Sequence, residues 1–260
     1  MGWFQSLHGT VRRGLLVAAV GGLLGGCAAD KPNQVFDPFE TVNRHVFAFN
    51  DAVDTAIARP IAVVYRDLAP RPAKMVVSNF LSNLTLPLTM IHDLLQGKPD
   101  RAQVAFGRFF MNTILGVGGI FDVATPHGLK FHQEDMGQTL AVHGSGAGPY
   151  LVLPLLGPSS ARDGIGDLID WVIDPVNVVT RIPKHGGDAF RYGRTGASTL
   201  VRREELLEPL DALHQSLDYY AAVRSAYAQK RRIDIVDGMD NPANKGVDPF
   251  KAAEEAGKAK

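Results

Sequence analysis

Residues 37–57 have the sequence DPFETVNRHVFAFNDAVDTAI, and this stretch predicts that the folded part of the chain begins with an amphipathic helix. Asp37 can cap the helix, Pro38 suits its first turn, and Glu40 can complete a capping box. The apolar side chains then recur at helical spacing, at Phe39, Val42, Val46, Phe49, Val53 and Ile57. Pro60 is expected to break the run, because proline has no backbone N–H to donate.

Helical patterns continue through most of the chain, separated by glycine and proline. Helices are predicted at residues 73–84, 86–96, 100–115, 135–142, 159–173, 190–203 and 206–230. The last segment carries a stripe of Leu206, Leu210, Leu213, Leu217, Tyr220 and Tyr227. Because alternating strand patterns are nearly absent, we predict an all-α single domain over residues 37–232. Residues 233–260 lack a hydrophobic face and are predicted to form a polar, disordered tail.

The N-terminus has the layout of an export signal. Arg12 and Arg13 precede an uncharged stretch over residues 14–24, which leads to Gly25-Gly26-Cys27. The apolar run is shorter than the roughly 20 residues of a membrane-spanning helix. A cysteine after small residues resembles the bacterial lipobox, which implies cleavage before Cys27, a diacylglyceryl group on its sulfur and a fatty acid such as palmitate on its new N-terminus. We therefore expect a signal peptide at residues 1–26 and a lipidated tether at residues 27–36.

The N-terminus also matches two other signals in part. Met1-Gly2 with Ser6 fits the N-myristoylation pattern, but that interpretation leaves the apolar run and Cys27 unexplained. Arg12-Arg13 also loosely matches a twin-arginine signal. Since no cofactor motif follows, two ordinary arginines of a signal peptide are favoured, and the choice of export route stays open.

The charge balance argues against a nucleic-acid-binding protein, and the cysteine content excludes a domain stabilised by its own disulfides. The chain has 27 basic and 27 acidic residues, and removal of residues 1–26 takes away Arg12 and Arg13 only, leaving 25 against 27. This near-neutral balance gives no electrostatic reason to expect nucleic acid as a partner. Cys27 is the only cysteine, so no disulfide within the chain can stabilise the exported domain.

Residues 144–158 combine flexible glycines with an apolar run. Gly144, Gly146 and Gly148 alternate before Tyr150-Leu151-Val152-Leu153-Pro154-Leu155-Leu156-Gly157-Pro158. Two prolines make a regular strand a poor prediction here. One hypothesis is a buried segment that fills the core. The other is a gate hinged on the three glycines, with Tyr150, Leu151, Leu153, Pro154 and Leu156 able to touch lipid or close an opening.

Four aspartates share one face of the predicted helix at residues 159–173. They are Asp163, Asp167, Asp170 and Asp174, spaced by four, three and four residues. A solvated acidic face is the simplest interpretation. A functional alternative is that they line a water-filled channel. A metal site is the third interpretation and is ranked last, because carboxylates packed this densely usually point to water.

Signals for catalysis and metal binding are weak. His127, His132, Asp135 and His143 form the densest group of possible ligands, but no histidine pair has the i, i+4 spacing of a zinc helix. Surface or loop histidines are the favoured interpretation. A nucleophile elbow around Ser145 would need glycine two positions away on each side, where the sequence has His143 and Ala147, and no phosphate-binding loop is present. We predict no enzyme activity, no catalytic residue, no metal and no cofactor.

Many short motifs in order resemble the MlaA/VacJ family of outer-membrane lipoproteins. The resemblance runs from Asp37 to about Arg232. Its carriers are Asp37-Pro38-Phe39-Glu40, Asn43-Arg44, Phe49-Asn50, Arg59-Pro60, Asn79-Phe80, Asn83-Leu84, Leu95-Gln96-Gly97, Arg108-Phe109, Asn112-Thr113, Gly116, Gly118-Gly119, Phe121-Asp122-Val123-Ala124, Gly137-Gln138-Thr139-Leu140, Gly148-Pro149-Tyr150, Leu153-Pro154, Gly157-Pro158-Ser159 and Arg162-Asp163. Two positions depart from the family pattern: His92 stands where asparagine is usual, and Met136 where phenylalanine is usual.

The resemblance implies a ring-like helical protein that lies in the inner leaflet of the outer membrane of a Gram-negative bacterium, on its periplasmic side. Such proteins take mislocalised phospholipids from the outer leaflet through a central channel. A soluble periplasmic lipid carrier then returns the lipid towards the inner membrane, and trimeric porins are associated partners. Two rival functions remain at this stage, a structural or adhesive envelope lipoprotein without lipid transport and a lipid-modifying enzyme.

Overall fold

A computed structural model describes residues 35–181 and 186–236. The predicted signal peptide, Cys27 and residues 237–260 of the predicted tail lie outside the described residues. The all-α class is confirmed, with one small two-stranded sheet added to the helices. The ring-like shape stays a prediction.

The first amphipathic segment forms α1 (Glu40–Val53), a π-helical turn (Asp54–Ala58) and α2 (Arg59–Leu68) without a break. Pro60 was expected to end the helix, but the π turn accommodates it, because the N–H of Arg59 donates to the carbonyl of Asp54, five residues earlier. The prediction that Asp37 caps α1 is wrong. The carboxylate of Asp37 is taken by tertiary partners, the side-chain amide of Asn43 at 2.8 Å and the guanidinium of Arg224 at 2.7 Å.

The next two helices, α3 (Arg71–Leu95) and α4 (Pro99–Ile114), pack along each other. The sequence predicted two helices at residues 73–84 and 86–96, and this is wrong, since α3 continues through Pro87. A proline inside a helix removes one hydrogen bond, yet α3 continues through this position and packs along α4. Gly97, with φ +73°, makes the turn into α4.

A helix, a hairpin and two further helices follow: α5 (Met136–Val142), β1 (Tyr150–Leu153), β2 (Gly157–Ser160), α6 (Ala161–Ile173) and α7 (Pro175–Arg181). The strands are antiparallel, with Tyr150 opposite Ser160 and Leu153 opposite Gly157. The expectation that this segment makes a poor strand is therefore wrong. In a two-stranded sheet each strand is an edge strand, where a proline such as Pro158 is tolerated.

The last helices are α8 (Gly187–Glu205), α9 (Leu207–His214) and α10 (Tyr219–Ile235). The single helix predicted at residues 206–230 is wrong. Ser216 donates to the carbonyl of Leu213 and ends α9, and Asp218 accepts from the N–H of Ala221 at 3.1 Å and caps α10. Leu217, which the apolar stripe placed on a buried face, points fully into solvent between the two helices.

Aromatic rings join the hairpin to α1 and α10. The ring of Tyr150 meets the rings of Tyr220 and Tyr227 edge to face, with centroids 6.2 and 5.8 Å apart. Phe47 on α1 meets Tyr220 in the same way at 5.5 Å. Within residues 35–181 and 186–236, no helix has both the length and the apolar character needed to cross a bilayer.

Candidate functional site

The described part of the protein places charged and amide side chains inside and many large apolar side chains outside. The buried polar set includes Asn83, Thr89, His92, Asp93, Gln96, Arg108, Asn112, Glu134, Gln138, Arg162, Asp163 and Asp174. The exposed apolar set includes Val42, Phe49, Ile57, Ile61, Val64, Leu68, Phe106, Phe110, Ile114, Leu155, Leu156, Ile165, Leu168, Trp171 and Val179. Water-soluble proteins bury such side chains, and large apolar patches mark sites for lipid or partners.

Helix α6 shows this inversion most clearly. Leu168 and Trp171 are 70% and 60% exposed, whereas Asp163 and Asp174 are each 6% exposed. The four aspartates do share a face, as predicted, but the interpretation as a solvated acidic face is wrong for three of them. Those three are satisfied by protein groups, as the next paragraphs describe.

Asp163 and Asp135 share the guanidinium of Arg231 on α10. Arg231 donates to Asp163 Oδ1 at 2.9 Å and to Asp135 Oδ2 at 2.7 Å. Tyr227 donates a short hydrogen bond to Asp163, and Arg162 lies 3.1 Å from the same carboxylate. Burial alone would raise the pKa of Asp135, but the hydrogen bonds and charge of Arg231 prevail and lower that pKa to about 2. The cluster thus ties α10 to the starts of α5 and α6.

Asp170 is bound by His92. His92 is fully buried, with Nε2 at 2.8 Å from Asp170 Oδ1 and Nδ1 at 3.0 Å from Thr139 Oγ1. The other oxygen of Asp170 accepts from the N–H of Met136 at 2.9 Å. A hydroxyl, an imidazole and a carboxylate therefore line up, but Thr139 is 5% exposed and its hydroxyl also contacts Gln96 and the carbonyl of Asp135. The hydroxyl of Thr139 is therefore buried and bonded to protein groups.

Asp174 and Asp167 differ in their surroundings. Asp174 caps α7 by accepting from the N–H of Val176 at 2.9 Å, and Arg194 of α8 donates to its second oxygen at 2.5 Å. Asp167 is exposed and has no hydrogen-bond partner among the residues that the structure describes. Partial burial and the nearby carboxylate of Asp135 raise the pKa of Asp167. Whether any of the four lines a channel stays a prediction.

The apolar segment at residues 150–158 is held by two asparagines of α1. Asn43 donates to the carbonyl of Tyr150 and accepts from the N–H of Val152, both at 3.0 Å. Asn50, two helical turns further, donates to the carbonyl of Leu153 at 2.9 Å and accepts from the N–H of Leu155 at 2.8 Å. Neither asparagine was predicted from the sequence to hold the hairpin, although their seven-residue spacing places both on one face of a helix.

The two hypotheses for this segment each describe one part of it. Tyr150 and Val152 are buried in the core, whereas Leu155 and Leu156 at the tip are 69% and 78% exposed. Leu151 and Leu153 lie partly exposed in β1, and Pro154 is exposed beside the tip. The hairpin thus buries the side chains at its base and exposes apolar side chains at its tip.

The glycines before the hairpin differ from one another. Gly144 and Gly148 have φ values of +87° and +69°, a region that side chains disfavour, whereas Gly146 does not. The segment is fastened to the start of α6, because Arg162 donates its backbone N–H to the carbonyl of Ala147 and its guanidinium to the carbonyl of Ser145. A hinge at these glycines stays a prediction.

The histidines considered as metal ligands lie apart. His132 Nε2 is 2.8 Å from Asp93, while His127 and His143 each contact a backbone carbonyl one turn earlier. His132 is a loop histidine, one of the two predicted alternatives, but its side chain is largely buried. In residues 35–181 and 186–236, no group of three histidine or carboxylate side chains could hold a metal ion.

A polar cavity of about 200 Å³ lies between α3, α4 and the loop after α4. Its lining includes Asn79, Asn83, Arg108, Asn112, Asp122 and Phe131. Arg108 donates to Asp122 Oδ2 at 3.0 Å, and Asn112 donates to Asp122 Oδ1 at 3.1 Å. Asn83 Oδ1 and Arg108 Nε are buried and have no hydrogen-bond partner among the described residues. Several motifs that carried the family resemblance thus meet in one place.

Comparison with known proteins identifies close similarities over most of the chain. Residues 35–234 match the family model described as MlaA lipoprotein. The intermembrane phospholipid transport system lipoprotein MlaA of Escherichia coli K12 is 38% identical over 80% of this chain and 82% of its own length. An uncharacterized protein of Rickettsia bellii is 36% identical over 82% and 80% of the two chains.

A solved structure is similar as well. It was described under the words "Structural basis for maintenance of bacterial outer membrane lipid asymmetry". Its chain is 36% identical, superposes with a TM-score of 0.67 and covers 76% of this chain and 98% of its own.

Proposed function

The chain belongs to the MlaA lipoprotein family, and on that premise we propose that it removes mislocalised phospholipids from the outer leaflet of the outer membrane. In this proposal it is anchored by acylated Cys27, passes each lipid through a central channel and hands it to a periplasmic carrier for return to the inner membrane. Support comes from relatives that are named as phospholipid transport lipoproteins, including the Escherichia coli protein.

The inverted placement of side chains is the observation that carries the proposal. An outward apolar surface on α1, α2, α4 and α6 suits a protein that lies within the hydrocarbon of one leaflet. Two or more acyl chains are needed for stable anchoring, and a triacylated Cys27 would supply them. The apolar surface would add to that anchor and keep the protein at the depth of the leaflet.

The polar interior would serve the lipid head group. A charged head group cannot cross hydrocarbon without a large desolvation cost, so its route needs polar groups along the way. Asp167 on α6 is the carboxylate of its face that protein groups leave open. The acyl chains would remain in contact with apolar surfaces while the head group passes.

The hairpin tip would act as the gate. Asn43 and Asn50 bond the backbone of the hairpin, whereas the side chains of Leu155 and Leu156 at its tip are exposed. Replacement of Gly144 by alanine should disturb the gate, because its φ of +87° is unfavourable for any side chain. Gly146→Ala is the matched control, since both sites have room for a Cβ and Gly146 has no positive φ. Equal surface phospholipid in the two variants would contradict the hinge.

We further propose that porins are partners of this protein in the outer membrane. We also propose that the protein is not an enzyme. The aligned Thr139, His92 and Asp170 are too deeply buried to act on a lipid. Incubation with phospholipid vesicles should release neither lysophospholipid nor fatty acid. Release of either product would favour a lipase.

The decisive test is the amount of phospholipid exposed on the surface of a strain that lacks this protein. We expect a rise that wild type reverses and that Cys27→Ala does not reverse, because the variant cannot be acylated. An absence of any rise would contradict lipid removal and favour a structural lipoprotein. A rise that both forms reverse would contradict the need for the anchor.

A further inference from the structure

An apolar groove lies between α3 and α8, beside the loop that follows α4. Its volume is about 460 Å³, within the range of small-molecule sites. The lining includes Val76, Val77, Phe80, Ile120, Phe190 and Ala197. Arg194 also borders it, but its guanidinium is occupied by Asp174 at 2.5 Å and by the carbonyl of Leu84 at 3.4 Å. The groove therefore presents hydrocarbon surface without a free charge.

A glycine leaves space open in the wall of this groove. Gly193 lines it, and a Cβ at this position would meet no heavy atom within 4 Å. Gly196 on the same helix also has open space around it but does not line the groove. Glycine is less favourable in a helix than most other residues, so Gly193 does not stabilise α8. Its missing side chain instead widens the groove.

The groove and the polar cavity use different faces of α3 and meet at the loop after α4. Asn79, which lines the polar cavity, donates to the carbonyl of Ile120, which lines the groove, at 3.1 Å. Across that contact, Asn83 Oδ1 and Arg108 Nε in the cavity are an acceptor and a donor that no residue of the described ranges pairs. Apolar and polar binding surfaces side by side fit an amphiphile rather than a purely apolar or purely polar ligand.

We propose that this groove binds one acyl chain of a phospholipid, with the polar part of the lipid on the Asn79 side. This inference rests on the proposed function and names the place where the transported lipid is held. A protein partner would need a contact surface of ~800 Å² on this side. A broad face can provide that area, but a groove of this size cannot. The occupant is therefore a single hydrocarbon chain.

The test is photo-crosslinking of the full-length lipoprotein in vesicles of phosphatidylglycerol and phosphatidylethanolamine, with a diazirine at the end of one acyl chain of the latter. We expect crosslinked peptides from residues 76–81 and 190–197. Gly193→Leu should lower their yield about tenfold, because its side chain would displace at least two methylenes worth ~0.8 kcal/mol each. Gly196→Leu should leave the yield unchanged, and both substitutions favour the helix.

Two results would overturn the proposal. One is an equal yield in wild type and Gly193→Leu, and the other is crosslinking confined to the outer apolar face that includes Leu168 and Trp171. Surface phospholipid in the strain that lacks the protein separates these failures from a failure of the proposed function. If wild type lowers surface phospholipid but the groove is not labelled, lipid transport is supported and the groove proposal is wrong. If surface phospholipid does not rise in the strain that lacks the protein, the proposed function itself is wrong.

Discussion

The side-chain amide of Asn43 donates to the backbone carbonyl of Tyr150 at 3.0 Å, across 107 positions of the chain. The same side chain accepts from the N–H of Val152, so one asparagine satisfies two buried backbone groups of β1. Asn50 repeats the pattern at Leu153 and Leu155, closer to the exposed tip. Helix α1 thus holds the hairpin through side-chain amides where a third strand would use its backbone.

This arrangement predicts unequal effects of two matched substitutions. Asn43→Ala should lower the free energy of unfolding by about 2–4 kcal/mol, because two buried backbone groups lose their partners. Asn50→Ala should cost less, since water can reach the N–H of Leu155. Urea unfolding of both variants measures the difference. A larger loss for Asn50→Ala would contradict a base-anchored hairpin.

The cluster around Arg231 predicts how stability depends on pH. Against the effect of burial, the hydrogen bonds and charge of Arg231 lower the pKa of Asp135 from its ordinary value of 3.8 to about 2. The resulting stabilisation is present above pH ~4 and is lost as the pH falls towards 2; a shift of this size corresponds to about 2 kcal/mol. Thermal unfolding from pH 6 to pH 2 should show this loss in wild type.

Arg231→Met should remove most of that pH dependence. At neutral pH the variant leaves Asp135 and Asp163 without their cation, at a cost of about 3–5 kcal/mol. The difference from wild type should shrink at pH 2, where the carboxyl groups are protonated. Lys230→Met is the control, because its pair with Asp234 is exposed and is worth less than about 1 kcal/mol. A constant gap between wild type and Arg231→Met at all pH values would contradict the assignment.

Helical periodicity predicted most helices but could not tell which face lies inside. In water the apolar face turns inward, and that assumption led to the interpretation of Asp163, Asp167, Asp170 and Asp174 as a solvated face. The structure reverses it for all but Asp167, because the partners of the other three carboxylates come from distant parts of the chain. Arg231, for example, lies 68 positions from Asp163. No local pattern encodes such a pair.

The family resemblance located residues whose roles periodicity could not supply. Asn43, Asn50, Arg108 and Asp122 all occur in the motifs that carried it, and each proves to make long-range or interior hydrogen bonds. By contrast, the break between α9 and α10 was missed because the apolar stripe continues across it. The signal was Asp218, a capping residue inside an otherwise regular stripe.

The outward position of Trp171 predicts a fluorescence response to membranes. Cleavage before Cys27 would remove Trp3 and leave Trp171 as the only tryptophan. Since Trp171 is 60% exposed beside Leu168, its emission should shift to the blue on binding to vesicles, and phospholipids brominated along the acyl chains should quench it. Quenching by iodide from water, with none from the brominated lipid, would show that α6 does not face hydrocarbon.

Asp163 and Asp167 allow the channel hypothesis to be tested apart from folding. Asp163 is bound by Arg231 and Tyr227, so Asp163→Asn should lower the free energy of unfolding by about 3–5 kcal/mol whatever its role in transport. Asp167 has no hydrogen-bond partner in the described residues, and partial burial together with nearby carboxylates raises its pKa. Asp167→Asn should therefore change stability by less than about 0.5 kcal/mol.

Any effect of Asp167→Asn on lipid movement must then come from the lost carboxylate and not from a weakened fold. If this carboxylate lines the route of the head group, the variant should restore a strain that lacks the protein less well than wild type does, as measured by surface phospholipid. Full restoration by a stable Asp167→Asn protein would remove Asp167 from the channel. Since the other three aspartates of α6 are occupied by protein partners, that outcome would also move the search for the polar route from α6 to the cavity between α3 and α4.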